Sequence, residues 1–115
     1  MYSKESWDRL VKEFEEKEAK LLHNKNREYA GGRGKEDFLR NFREVAVFEG
    51  REPAQVGLTW LLKHVHGICK AIESGNYEWC WENESGEQLK QRISDARNYL
   101  LLIAACLEDE HGKKG

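Results

Sequence analysis

The run Tyr99-Leu100-Leu101-Leu102-Ile103-Ala104-Ala105-Cys106 is apolar at every position, inside a segment whose flanks have helical spacing. A helix that is apolar all round must be covered on more than one side. In a chain of 115 residues, one small core cannot supply all of that cover. The run therefore predicts a helical protein that forms a homo-oligomer, with this helix at or near the interface. The last helix is expected over about 86–108, started by a capping box at Ser85-Gly86-Glu87-Gln88. Its main seam is Leu89, Ile93, Ala96, Leu100, Ile103 and Leu107, at alternating spacings of four and three.

Three further helices precede it. The first starts near Ser6, a good N-cap, and runs to about Tyr29 on an apolar stripe of Trp7, Leu10, Val11, Phe14, Leu21 and Leu22. Glu18 and Lys25 fall on that stripe where apolar residues are expected. The glycine-rich loop Gly31-Gly32-Arg33-Gly34-Lys35 ends it and reads as a connector, because it lacks the spacing of a phosphate-binding loop and follows no strand. A second helix spans about 36–49, with Phe38, Phe42, Val45 and Phe48 on one face and Gly50 as its stop. Pro53 opens a third, where its missing N–H costs nothing. That helix carries Val56, Trp60, Leu61, Val65, Ile68 and Ile72, and ends at Gly75. Tyr77, Trp79, Cys80 and Trp81 crowd a segment without helical spacing. The fold expected is all-α, a compact four-helix bundle-like domain over 1–109 with an aromatic-rich loop before the last helix, followed by a disordered tail at 110–115.

Composition narrows the function. A net charge of −2 argues against a general nucleic-acid binder, which carries a basic excess. No run reaches the length of a membrane span, and the first residues lack the apolar core of a signal peptide. The expected location is the cytoplasm. Cys69, Cys80 and Cys106 include no CxxC pair, so neither a disulfide framework nor a structural zinc site is expected; Cys69 and Cys106 read as buried small hydrophobes. His64 and His66, two apart on a helix, point to roughly opposite sides and cannot share a metal ion. No metal or other cofactor is expected for a binding protein.

Polar residues that interrupt apolar stripes are the candidates for chemistry. Arg92 and Asp95 share a stripe of the last helix with Tyr99, Leu102 and Cys106. They either pair with each other or serve a ligand, with Arg92 on a phosphate or carboxylate and Asp95 or Asn98 on a base edge or sugar hydroxyl. Lys25, Tyr29, Asn41, Lys63 and His64 converge on one end of a groove if the helices pack as a bundle. A magnesium-dependent pyrophosphohydrolase would instead need clustered carboxylates from facing helices. Glu15, Glu18 and Asp95 are the residues that would have to meet.

These positions carry a resemblance. Lys25-Asn26-Arg27-Glu28-Tyr29-Ala30, Asn41-Phe42, Lys63-His64, Glu84-Ser85, and Asp95 with Asn98-Tyr99 follow one another in the order seen in small phage and prophage proteins that carry a nucleotide modification associated domain. The chain resembles that group over roughly 20–107. Its helices also resemble MazG-like pyrophosphatases, whose acidic metal motif this chain does not match. The resemblance implies a phage gene product working in the host cytoplasm, an all-α fold and a link to nucleotides. It points to Lys25, Tyr29, Asn41, Lys63, Asp95 and Asn98. The expected function is binding of a nucleotide or nucleotide-derived signal without turnover, as in sequestering a host immune signal. Lys25, Lys63 and Arg92 would take phosphate charge, and Tyr29 or a tryptophan of 77–81 would stack on a base. The alternatives are the pyrophosphohydrolase, with magnesium, and a protein-interaction module acting through Tyr77–Trp81.

Overall fold

The structure, a computed structural model, describes the backbone of residues 1–29 and 39–114 and the side chains of 1–20 and 39–112. Within them the fold is all-α. The order is α1 (Lys4–Tyr29), α2 (Arg40–Glu49), α3 (Pro53–Ser74), a two-stranded hairpin of β1 (Glu82–Asn83) and β2 (Gly86–Glu87), and α4 (Leu89–Lys114). None of these helices is long and apolar enough to cross a membrane.

Local chemistry sets most of the boundaries. The cap of α1 is Ser3 rather than Ser6, since the Ser3 Oγ accepts the Ser6 N–H at 3.1 Å. Gly50 and Gly75 close α2 and α3 in the left-handed region, at φ 67° and 72°. A residue with a Cβ pays a steric cost there. Pro53 is the first residue of α3, and the Gln55 side chain accepts the Glu52 N–H at 2.9 Å.

The start of α4 differs from the expected capping box. The Asn83 Oδ1 accepts both the Ser85 N–H at 2.8 Å and a Gln88 Nε2 proton at 3.1 Å. Ser85 and Gln88 therefore belong to the hairpin, paired Glu82 to Glu87 and Asn83 to Gly86, and the helix begins at Leu89. It continues to Lys114, past Glu108 and into the stretch read as a tail.

The core is small and lies where α2, α3 and α4 meet. Leu39, Phe42, Ala46, Val56, Leu102 and Cys106 are buried together, with Trp60, Tyr99 and Val45 packed around them. Phe42 is fully covered and its ring lies 4.9 Å from that of Trp60. α3 and α4 run antiparallel: a Cβ built on Gly57 would stand 2.8 Å from Ile103, while Ala71 shares a crevice with Leu89. Arg43 on α2 reaches Asp109 on α4 at 2.6 Å.

Three expectations about inward faces are corrected. Of the expected α4 seam, Leu100 and Leu107 are exposed, while Leu89 is buried and Ile103 packs toward Gly57 of α3; the buried stripe is Gln91, Asp95, Asn98, Leu102 and Cys106. Gln91 and Asp95 tolerate this burial because the Gln91 amide donates to the Asp95 carboxylate at 2.9 Å. Phe48 is almost fully exposed, off the face that Phe42 buries. Cys69 is exposed while Cys106 is buried.

α1 lies along α4 on a mixed seam. Phe14 is buried there, its ring 4.8 Å from Trp81 and 5.7 Å from the Arg97 guanidinium carbon. Glu18 interrupts the apolar stripe, as the sequence indicated. Its carboxylate accepts from Ser94 Oγ at 3.2 Å and pairs with Arg97 at 3.1 Å. Glu13 accepts the Trp81 indole N–H at 2.7 Å and a Lys90 ammonium proton at 2.8 Å.

Those two donors, Lys90 first, hold the Glu13 carboxyl below its ordinary value of 4.5. A carboxylate stabilised this way contributes to the fold above the unfolded pKa, and the contribution is lost as pH falls through the lower folded value. Acidification below about pH 4.5 should therefore loosen the Trp81 contact, seen as a change in tryptophan emission. Glu13→Gln should flatten that pH response. An unchanged response in the variant would assign the acid sensitivity to other carboxylates.

Candidate functional site

One pocket gathers several of the residues that the sequence singled out. It is a shallow, open depression between α2, α3 and α4 of about 340 Å³, lined by Asn41, Trp60, Lys63, His64 and Tyr99. Helical spacing brings them there. Trp60, Lys63 and His64 are one turn apart on α3, so they share a flank. Asn41 precedes the buried Phe42 and is left half-covered at the rim. Tyr99 stands across from α3 on α4.

The pocket is aromatic on its inner side. The His64 and Tyr99 rings are 4.9 Å apart, and those of Trp60 and Tyr99 are 6.3 Å apart, edge to face. Such rings offer flat apolar surfaces with polar edges. Lys63 is exposed, so its ammonium is available to a ligand anion as well as to water. The Asn41 amide can donate and accept at once. The volume falls at the low end of small-molecule sites.

The remaining candidates are placed as follows. The side chains of Lys25 and Tyr29 lie outside the described residues. Arg92 and Asp95 do not pair with each other. Asp95 is buried and accepts a proton from Gln91 Nε2 at 2.9 Å, whereas Arg92 is exposed at a narrow crevice of about 30 Å³ with Asn76, Tyr77 and Gln88. Helical rotation accounts for this: Arg92 sits on the α3 side of α4, and Asp95 turns toward the core. Asn98 is buried too. It lines a different depression with Glu18, Arg97, Leu100 and Leu101. Lys63, His64 and Asn41 are thus brought together, while Arg92 and Asn98 line other depressions.

Trp60 and Tyr99 are the site residues that sequence reasoning missed. Both sit on apolar stripes and read as core. The aromatics of 77–81 take other places. Trp81 packs on Phe14, the Lys90 ammonium lies 5.1 Å from the centre of the Trp79 ring, and Tyr77 borders the Arg92 crevice.

The acidic cage of the hydrolase reading is not assembled. Glu15 is exposed, Glu18 is bound by Arg97 and Ser94, and Asp95 by Gln91. Among the described residues, no group of three or more His, Cys, Asp and Glu side chains could hold a metal ion. No family model, curated protein or solved structure matches the chain.

Proposed function

We propose that this chain binds a nucleotide or nucleotide-derived small molecule in the pocket between α2, α3 and α4, and retains it without turnover. The observation that carries the reading is the meeting of Asn41, Lys63 and His64, chosen as polar interruptions of helical stripes, with the rings of Trp60 and Tyr99 around one cavity. The parts match the ligand class. An aromatic wall stacks a base, a contact worth roughly 1–3 kcal/mol. An amide reads a base edge or sugar hydroxyl, and an ammonium takes a phosphate by a charge-assisted hydrogen bond. Binding is favoured over hydrolysis because Glu15, Glu18 and Asp95 line no common cavity. In the phage setting that the resemblance implies, retaining an intact ligand would sequester a host immune signal.

The test is a thermal-shift screen against nucleotides and cyclic nucleotides, with and without magnesium, followed by chromatography of the recovered ligand. At a hundredfold excess over Kd, a ligand should add about 2.7 kcal/mol of stability. Recovery of a magnesium-dependent hydrolysis product would overturn the reading, and so would the absence of any shift. Lys63→Ala removes an exposed side chain, so it should leave the unfolding temperature of the free protein unchanged. It should weaken binding roughly tenfold or more, the scale of a lost hydrogen bond to a charged group. Equal affinity of variant and parent would place the phosphate elsewhere.

A second reading has one observation in its favour. Tyr77 and Trp79 are 42% and 51% exposed, and exposed aromatics anchor protein interfaces. Retained nucleotide binding in a Trp79→Ala variant that has lost a protein partner would separate the two roles.

A further inference from the structure

The hairpin and the segment leading to it carry negative charge that the fold does not balance. Between Ala71 and Leu89 the chain places Glu73, Glu78, Glu82, Glu84 and Glu87, and no lysine or arginine. All of these glutamates are exposed, and none takes part in an ion pair among the described residues. Lys90, the next cation along the chain, is held by Glu13 on α1. The strand register sharpens the imbalance. Glu82 on β1 stands directly opposite Glu87 on β2, so both side chains leave the same face, with Cβ atoms about 5 Å apart. Like charges in that position repel, and a two-stranded ladder has little stability to set against the repulsion.

Open aromatic surface adjoins these carboxylates. Tyr77 and Trp79, the neighbours of Glu78, are both exposed. The Trp79 ring already attracts one cation, the Lys90 ammonium, and half of the residue still faces solvent. The segment is also held in place. Gln88 Oε1 accepts the Glu78 N–H at 3.3 Å, the Gln88 N–H donates to the Trp81 carbonyl at 2.9 Å, and the Lys90 N–H donates to the Cys80 carbonyl at 3.2 Å. Trp81 packs on Phe14 of α1. A surface fixed before contact loses little freedom on binding.

We infer that the hairpin receives an arginine-rich polypeptide segment of a partner protein. Charge complementarity argues for it. A guanidinium placed at the Glu82–Glu87 pair satisfies both carboxylates and removes their repulsion, and its planar fork matches carboxylates better than an ammonium does. Neighbouring guanidinium groups of the same segment stack on Tyr77 and Trp79, whose ring faces attract cations. The pair is a poor metal site, because a hard cation takes six or more oxygen ligands and no larger group of such side chains forms among the described residues. The inference rests on the reading of Tyr77 and Trp79 as a protein contact, and it names the chemistry of the partner. The surface shares no lining residue with the nucleotide pocket.

Calorimetric titration of the whole chain with a nona-arginine peptide, at about 0.15 M salt where distant charges are screened, tests this. Nona-arginine should bind roughly fivefold more tightly than nona-lysine, the scale of one exposed guanidinium–ring contact, and Trp79→Ala should erase that preference. The double variant Glu82→Gln/Glu87→Gln should weaken nona-arginine binding roughly tenfold, the scale of a lost charge-assisted hydrogen bond. Glu15→Gln/Glu108→Gln, which removes the same charge from exposed positions elsewhere, should stay within about twofold of the parent, as screening implies. No binding of nona-arginine, equal affinity for the two peptides, or equal losses in the two double variants would overturn the inference. Spermine binding as tightly as nona-arginine would overturn it too, since a small polycation would then suffice. If the hairpin variant melts below the parent, the peptide comparison on the parent and on Trp79→Ala decides. Loss of a protein partner by Trp79→Ala, in a chain that ignores nona-arginine, would keep the contact surface and discard its arginine chemistry. The nucleotide thermal shift should be the same in Glu82→Gln/Glu87→Gln and the parent, which separates this outcome from the ligand reading.

Discussion

Replacing Phe42 with alanine should destabilise the fold by roughly 3–5 kcal/mol, the range for truncating a buried phenylalanine. Its ring is fully covered, lies 4.9 Å from the tilted ring of Trp60, and sits in the cluster that joins α2, α3 and α4. Among the described residues, Phe42 and Val56 are the large side chains with almost no exposure, so the void is left at the tightest part of the core. Against a total stability of about 5–15 kcal/mol, the loss brings the variant close to unfolding. Denaturant titration followed by far-ultraviolet circular dichroism would measure it. Because Trp60 lines the pocket, the variant should also lose ligand affinity while it is still folded. A change under 1 kcal/mol would mean that the core lies elsewhere.

A pair of glycine substitutions on α3 should move stability in opposite directions. Gly57→Ala and Gly67→Ala both remove a helix-interior glycine, worth about 0.8–1.0 kcal/mol in alanine's favour. At Gly57 the new Cβ would stand 2.8 Å from Ile103 Cγ1 and 3.4 Å from Phe42 Cε1. Cγ1 is tied to the branch point of its side chain and cannot swing aside, so α3 and α4 must separate. Overpacking of that kind costs typically 1–3 kcal/mol, enough to outweigh the propensity gain. At Gly67 the nearest atom is the end of the Arg92 side chain at 3.8 Å, an ordinary contact, and the substitution should stabilise. Melting temperatures of the two variants, measured side by side, check the prediction. Equal shifts would show that the α3–α4 spacing has slack.

The elements legible in the sequence were those set by local chemistry. Pro53, Gly50 and Gly75 marked the ends of α2 and α3 because each is suited to its backbone geometry whatever surrounds it. The start of α4 was misread for an equally local reason. Ser85 and Gln88 have the types and spacing of a capping box, but Asn83, two residues before Ser85, takes both groups into the hairpin. Which stripe of α4 faces inward could not be read from α4 alone. Two residues of its more apolar seam, Leu100 and Leu107, are outside, and the buried stripe carries Gln91, Asp95 and Asn98. Ser94 beside that stripe is satisfied by Glu18, which lies far away in the chain. Asn41, Lys63 and His64 stood out as polar residues next to apolar ones. Trp60 and Tyr99 did not, since an aromatic that lines a cavity and one that fills the core occupy the same kind of stripe.

The bonds from Glu18 and Glu13 to the 81–97 region have a consequence for how α1 can move. An all-apolar seam between two long helices permits sliding by a turn, because one hydrophobic contact replaces another at little cost. Here a slide of one turn would carry the Glu18 carboxylate, now bound by Ser94 and Arg97, away from both and leave a buried charge without a partner. The same step would part Glu13 from the Trp81 indole and Lys90. Leaving a fully buried charge uncompensated costs about 3–5 kcal/mol; solvent at the half-exposed Arg97 reduces that figure here. The polar pairs thus act as a detent that fixes the axial position of α1. A swing or a release of this helix relative to α4 is therefore favoured over a glide of one turn.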